Sequence, residues 1–401
     1  MRDLYPRNYA PYENSRFGVD LTEFTQWLRK LGYSRHSIRG HIRRLKQVIE
    51  ESECFQPSGG FGDADLQEAF AITSPKAHLY QATRRAFERF LVTAGRLVST
   101  VPVSTNEVLL RRCCQYLTEV RGFTPATLRH HRTTLQDFLS RGLSVGAELA
   151  ELTTTNVENY VQLKSKEVSR QSLQHVVAHL RAFLRYCGDH GQTERGLDCI
   201  DTPRTYRGEQ PPRALDWNLV RRLLISVDRK SRTGWRDYAI LHLMAYYGLR
   251  SSEIALLHLS SVGWDAQTIR VEQSKTQSVL VLPLAPRTLR MLRRYVIAGR
   301  PTCDKPQLFL RARSPIAALN RCRIGNIFIK RAQESGLPLK GASSYALRHS
   351  FAMRLLRRGV GVKAIGDLLG HHSLESTCVY LRIDMDMLRT VALPVPSSAV
   401  V

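Results

Sequence analysis

The chain has 401 residues, with 59 Lys and Arg against 35 Asp and Glu and a formal net charge of +24 at pH 7. That length holds two or three domains rather than one, and that charge favours a polyanionic partner such as nucleic acid. The polar segment Met1–Ser15 has no apolar core of a signal peptide, and no apolar run approaches the ~20 residues that span a bilayer, so membrane classes are set aside.

Residues 16–100 read as helical, with a break around Pro57-Ser58-Gly59-Gly60, and residues 104–192 read as helical too. The two stretches look related. Gly32-Tyr33-Ser34 matches Gly122-Phe123-Thr124, Ser37-Ile38-Arg39 matches Thr127-Leu128-Arg129, His41 matches His131 and Leu45 matches Leu135, all at an offset of 90. Phe90-Leu91 and Gly95 match Phe183-Leu184 and Gly188 at an offset of 93. Repeats of this kind imply repeated structural units; chance likeness between two basic amphipathic helices is the alternative. Each stretch has a helix opening on a hydroxyl cap, Ser34 through Arg44 and Thr124 through Arg132. Such helices can lay cations along a phosphate backbone, although for any single Arg a solvated face is the simpler reading.

Residues 196–213 mix Gly, Pro and charge without hydrophobic period and read as a linker. The expected division is an N-terminal helical unit over 1–103, a helical unit over 104–195, that linker, a third domain over 214–393 and a disordered tail over 394–401. The third domain opens with helices at Trp217–Val227 and Asp237–Tyr247, the latter with Ile240, Leu243, Met244 and Tyr247 on one face. Strands follow at Thr268–Glu272 and Ser278–Leu284, with Lys275 in the turn between them. Helices resume from Leu319. The fold class is mainly α with a small antiparallel sheet.

Three short segments carry chemistry: Tyr247-Gly248-Leu249-Arg250-Ser251-Ser252-Glu253, Tyr345-Ala346-Leu347-Arg348-His349, and Leu369-Gly370-His371 followed by Tyr380 nine residues after His371. They supply a phenol, two guanidinium groups and histidines. A phosphodiester repels nucleophiles, and its transition state gathers charge on the non-bridging oxygens. Divalent metals held by carboxylates commonly neutralise that charge. Here Asp367, Glu375 and Asp384 lie apart, and the eight cysteines form no C-x-x-C pair or zinc spacing. The reading is therefore reduced thiols, a cytosolic protein and no metal. Preorganised cations are the other means of charge stabilisation. Arg250 and Arg348 suit it, because guanidinium stays charged and grips phosphate bidentately. Tyr380 is the candidate nucleophile and needs a base or nearby positive charge. Gly370 is expected to end a helix and leave His371 at that end, with Tyr380 on the next helix. Lys275 could protonate a leaving 5′ oxygen, or be an ordinary turn lysine.

These boxes resemble the tyrosine recombinase (phage integrase) family over about residues 104–390. The family's arginine box looks like Gly248–Glu253, its His-x-x-Arg-His box like Tyr345–His349, and its Leu-Gly-His box and tyrosine like Leu369–His371 and Tyr380. The resemblance implies a helical SAM-like core-binding domain and a catalytic domain. In it Arg250, Arg348 and His371 hold the scissile phosphate, Lys275 is the general acid and Tyr380 forms a 3′-phosphotyrosyl bond. It also implies double-stranded DNA as partner, a dimer to tetramer on DNA, possible partner recombinases, a C-terminal docking segment over 385–395 and a nucleoid-associated protein of the cytoplasm. Glu253 is expected to support Arg250 by an ion pair. The closing residues from Tyr380 to Pro394 look most like recombinases of transposable elements, for integration, excision or transposition.

Two departures stand out. The usual first histidine of the second box is Tyr345, which can donate one hydrogen bond but cannot easily act as a base; base duty is expected to fall to His371 or solvent, since His349 is displaced from Tyr345 by one helical turn. The unit over 16–100 is extra to the two-domain plan. A type IB topoisomerase uses the same chemistry, and no residue forbids it. A DNA-binding accessory protein that has lost catalysis is the remaining reading, with Tyr345 in its favour.

Overall fold

The computed structural model describes residues 1–52, 55, 60–98, 105–143, 148–202, 204, 213–273, 278–371, 373 and 375–381. Lys275, the segment 385–395, the tail 394–401 and half of the expected linker lie outside the described residues. The chain forms two compact units, one of Met1–Phe61, Asp65–Arg96 and Gln210–Val401, the other of Gly62–Ala64 and Leu97–Glu209. Among the described residues, helices dominate and the one sheet of more than two strands is antiparallel.

The N-terminal helices run Gly18–Lys30, Arg35–Glu51, Asp63–Ala69 and Ala77–Thr93. Phe24, Leu28, Ile42, Leu45, Phe87 and Phe90 form their interior. Between the first two, Gly32 takes a φ of 72° and the Tyr33 N–H donates to the Leu28 carbonyl at 3.1 Å. Ser34 then caps the second helix by accepting the Ser37 N–H at 3.2 Å, which satisfies one of its orphan donors.

The helices of the second unit are Thr105–Glu119, Pro125–Arg141, Thr154–Glu167 and Arg170–Asp189. Their first turn repeats the same details. Gly122 has a φ of 64°, the Phe123 N–H donates to Leu117 at 3.1 Å, and Thr124 accepts the Thr127 N–H at 3.3 Å. His41 and His131 are both buried, and each packs against the aromatic ring of its turn, Tyr33 at 5.6 Å and Phe123 at 5.2 Å. The pairing of Gly95 with Gly188 does not hold in space. Gly95 follows its helix at a φ of 66°, whereas Gly188 lies inside Arg170–Asp189 and Gly191 takes the left-handed place.

In the third region, helix Trp217–Ser226 leads to Gly234–Tyr247, which begins earlier than its apolar period suggests. That helix is buried on nearly every side, so its apolar stripe understates its extent. Three strands, Val262–Gly263, Thr268–Gln273 and Ser278–Pro283, pair in that order, with Val271 opposite Leu280. The last strand is apolar after Ser278, yet Val279 and Val281 stay exposed while Leu282 is buried. It is an edge strand with one face on the core, so the pleat sends alternate residues outward. Helices Pro286–Ala298, Arg321–Glu334, Tyr345–Leu356 and Val362–Leu369 complete the region, with a single turn at Glu375–Cys378.

Candidate active site

Arg348 gathers the three boxes. It is 2% exposed, on the inner face of helix Tyr345–Leu356. Its Nη1 donates to the Gly248 carbonyl at 2.7 Å and its Nη2 to the Leu369 carbonyl at 2.6 Å. Gly248 and Gly370 are the left-handed caps of helices Gly234–Tyr247 and Val362–Leu369. One guanidinium thus sits at the C-terminal ends of two helices, where carbonyls lack partners and the dipole is negative. Neither glycine can be replaced without strain. A Cβ on Gly248 would lie 2.7 Å from both Leu369 and Phe351, and one on Gly370 would strike the Gln273 side chain at 2.0 Å. The last described residue before the expected Lys275 turn therefore lies against the third box.

Arg250 opens helix Ser251–Leu256. The buried Glu253 accepts the Arg250 N–H at 2.7 Å and its Nη1 at 2.6 Å, and lies 3.8 Å from Arg348 Nη1. One carboxylate at a helix N-terminus, a favourable place for an anion, therefore orients both arginines. The ion pair expected between Glu253 and Arg250 is present. Arg348 Nε has no partner among the described residues, and burial with the nearby Arg250 charge pushes the Arg348 pKa down. Two cations held close, one with a spare donor, make a seat for an anion.

His371 follows Gly370, as expected. Its N–H donates to Gly366 at 2.9 Å, and its Nδ1 lies 2.8 Å from the buried Thr377 hydroxyl. That contact fixes the ring and leaves Nε2 for a ligand. Tyr380 lies in the turn after Glu375–Cys378 rather than on a helix, its N–H bonded to Thr377 at 3.0 Å. Its ring is 2% exposed and packs with Ala352, Met353, Leu356 and Leu369. The hydroxyl meets His349 Nδ1 at 3.0 Å. Tyr345, half exposed, sets its ring edge-to-face on His349 at 4.6 Å. Burial pushes the Tyr380 phenol up to about 12, with the Tyr345 phenol adding to the rise and Arg348 and Arg250 opposing it. Burial, then the Arg348 charge, lowers His349 to about 4, and burial with Arg348, Arg250 and His349 lowers His371 to about 4.

The structure thus places Arg250, Tyr345, Arg348, His371 and Tyr380 around one point. Two partners, His349 and Thr377, were not singled out from sequence as site residues. His349 sits in the box one turn from Tyr345, a displacement that hides its role in the sequence, and its ring meets Tyr380. Thr377 carries no motif. Among the described residues, no cluster of His, Cys, Asp or Glu is arranged to hold a metal ion, and the seven described cysteines are free thiols.

The family model of the phage integrase family matches residues 213–387, and that of the phage integrase N-terminal SAM-like domain matches 111–191. A putative integrase/recombinase of Sinorhizobium fredii, y4rF, is 31% identical over 399 residues, spanning 95% of this chain and 92% of the relative. This chain belongs to the phage integrase family.

Tyrosine recombinase XerC of Pelobacter propionicus is 28% identical to this integrase-family chain, over 69% of the chain and 91% of the relative. A lambda integrase dimer bound to a core site shares its fold, at a TM-score of 0.54 and 20% identity over 68% of this chain and 94% of that one. Membership in this family makes the chain a site-specific recombinase, with a SAM-like domain ahead of an integrase catalytic domain. No helix among the described residues is long and apolar enough to cross a membrane.

Proposed function

We propose that this recombinase cuts and rejoins duplex DNA through a covalent bond between Tyr380 and a 3′ phosphate, without metal or nucleotide cofactor. The observation that carries this reading is the Arg348 guanidinium, which draws Gly248, Leu369 and the Glu253–Arg250 pair to the Tyr380–His349 contact. The Tyr380 oxygen attacks phosphorus, and the bond to the 5′ oxygen breaks. Arg250, Arg348 and His371 Nε2 stabilise the charge on the non-bridging oxygens. The phenol proton passes to His349 Nδ1, 3.0 Å away; burial and the Arg348 charge leave this imidazole a weak base in the DNA-free protein, and the negative phosphate bound beside Arg348 strengthens it. Lys275 protonates the leaving 5′ oxygen. Tyr345 donates a hydrogen bond to the phosphate from the exposed rim. A 5′ hydroxyl of a partner strand then attacks the adduct and frees Tyr380, so one ester replaces another and no energy source is needed.

Because Tyr380 is only 2% exposed, DNA has to open its cover before attack. In this reading residues 1–103, 104–195 and 214–393 act as separate domains joined by the 196–213 linker, and the two helical units precede a catalytic domain working as a dimer or tetramer on DNA. The substrate is a mobile element's ends, on the resemblance of the C-terminal segment, and the protein works on the nucleoid.

A trapping assay tests the chemistry. Nicked duplexes from the DNA flanking the gene are mixed with wild type or Tyr380→Phe in EDTA and run on denaturing gels. An adduct with wild type alone is expected. An adduct that persists in the variant, or that needs a divalent metal, would overturn the reading.

A further inference from the structure

We infer that the N-terminal unit is a second grip on duplex DNA, made by the ridge Arg35–Arg39–Arg43. The inference goes beyond the chemistry at Tyr380 and rests on the proposed DNA-binding role of the chain. Between Phe24 and Ile49 the sequence has seven Lys and Arg and no Asp or Glu. Helix Arg35–Glu51 turns Ile38, Ile42, Leu45 and Ile49 into the core. Arg35, Arg39 and Arg43 are exposed on the other side, four residues apart. Four residues rise ~6 Å, so the ridge spans ~12 Å, close to the ~12 Å width of a major groove.

A solvated helix face usually interleaves acids at i+4. The neighbouring helix does so, pairing Arg84 with Glu88. The ridge does not. At its margins Arg29 meets Asp3 at 3.6 Å and Lys46 meets Glu50. Arg35 donates to the Asp3 carbonyl, and no acid among the described residues pairs with Arg39 or Arg43. Tyr5 braces the middle, donating its hydroxyl to the Arg39 carbonyl at 2.9 Å with its ring 5.2 Å from the guanidinium. The second unit presents the same helix with the same turn, cap and buried histidine, and its exposed Arg129 stands where Arg39 stands. There, however, Arg132 is tied to Glu107 at 2.5 Å. The N-terminal copy therefore carries the denser set of cations without an acidic partner, as a phosphate-tracking surface requires.

The test uses the full chain and the triple variant Arg35→Gln/Arg39→Gln/Arg43→Gln, with Arg39→Lys/Arg43→Lys as a charge-keeping control. Binding to mixed-sequence duplexes of increasing length is measured across a salt series, with hydroxyl-radical footprints on the longest. The triple variant should lose the outer footprint and lower the salt slope by up to about 2.7, at ~0.9 per phosphate contact, while the lysine control keeps both. An unchanged slope and footprint would overturn the inference. So would loss of self-association in the variant with DNA binding intact, which would assign the ridge to a protomer contact. The Tyr380 adduct on short nicked duplexes reports separately on the chemistry: its absence in wild type, with the footprint difference present, would sink the phosphotyrosyl reading and leave the second grip standing.

Discussion

A phenol is a poor nucleophile while it keeps its proton, and Tyr380, pushed up to about 12 by burial, keeps it firmly at neutral pH. The group that touches it is His349, not the residue that replaces the family's usual histidine. Burial and the Arg348 charge keep His349 neutral but weaken it as a base, and the negative charge of a phosphate bound beside Arg348 is what lets its Nδ1 take the proton. Tyr345 covers that pair from the solvent side. Replacing His349 with Gln should keep a polar contact but remove the base, slowing single-turnover adduct formation about 100-fold with DNA affinity unchanged. A variant that cleaved as fast as wild type, or faster, would make His349 a latch for the resting phenol instead. Tyr345→Phe removes at most one hydrogen bond, about 1 kcal/mol or roughly fivefold in rate. If its adduct rate matched wild type, Tyr345 would have no bond to the phosphate.

Buried charge also joins the elements that carry the site, at the far end of helix Gly234–Tyr247 from Gly248. Asp237, 1% exposed on helix Gly234–Tyr247, accepts Arg331 Nη2 at 2.6 Å and Nε at 3.0 Å from helix Arg321–Glu334, and two bonds from Arg236. Asp237→Ala would strip Arg331 of its buried carboxylate and leave it the Thr233 hydroxyl and the more exposed Glu334, which costs up to about 3–5 kcal/mol. Urea titration should show a lower midpoint with little change in slope; a midpoint within error of wild type would mean that water replaces the carboxylate. Much of this architecture is legible in the sequence, because caps, apolar periods and the glycine breaks are local. Ser34 and Thr124 announce their helices, and Gly370 ends one where the Leu-Gly-His spelling says it does. What stays hidden depends on contacts distant along the chain. No local pattern says that Arg348 reaches Gly248 and Leu369, or that Thr377 holds His371. Which apolar side chains of the edge strand Ser278–Pro283 face the core is likewise set by its neighbour rather than by its own pattern.

Across the whole molecule, histidines sit inside all three helical regions. His41, His179, His242, His349 and His371 are each lowered to about 4, burial being the first cause in every case. An unfolded histidine titrates near 6.5. Between that value and about 4 the unfolded chain binds protons that the folded chain refuses, so stability rises with pH across this window. The contribution is complete above about 6.5 and is lost as pH falls toward about 4. Each proton forced on also adds to a chain that already carries +24, and self-repulsion acts in the same direction. The thermal midpoint of the DNA-free protein should therefore fall steadily from pH 7.5 to pH 5. Carboxylates held low by hydrogen bonds, Glu50 by Lys46 and Ser15 and Asp137 by Tyr160 and Lys164, act only below that range. Scanning calorimetry at several pH values, at constant ionic strength, reads the effect. A midpoint that stayed level between pH 7.5 and 5 would mean that these histidines accept protons without unfolding, and the interiors drawn around His41 and His179 would have to be open to water.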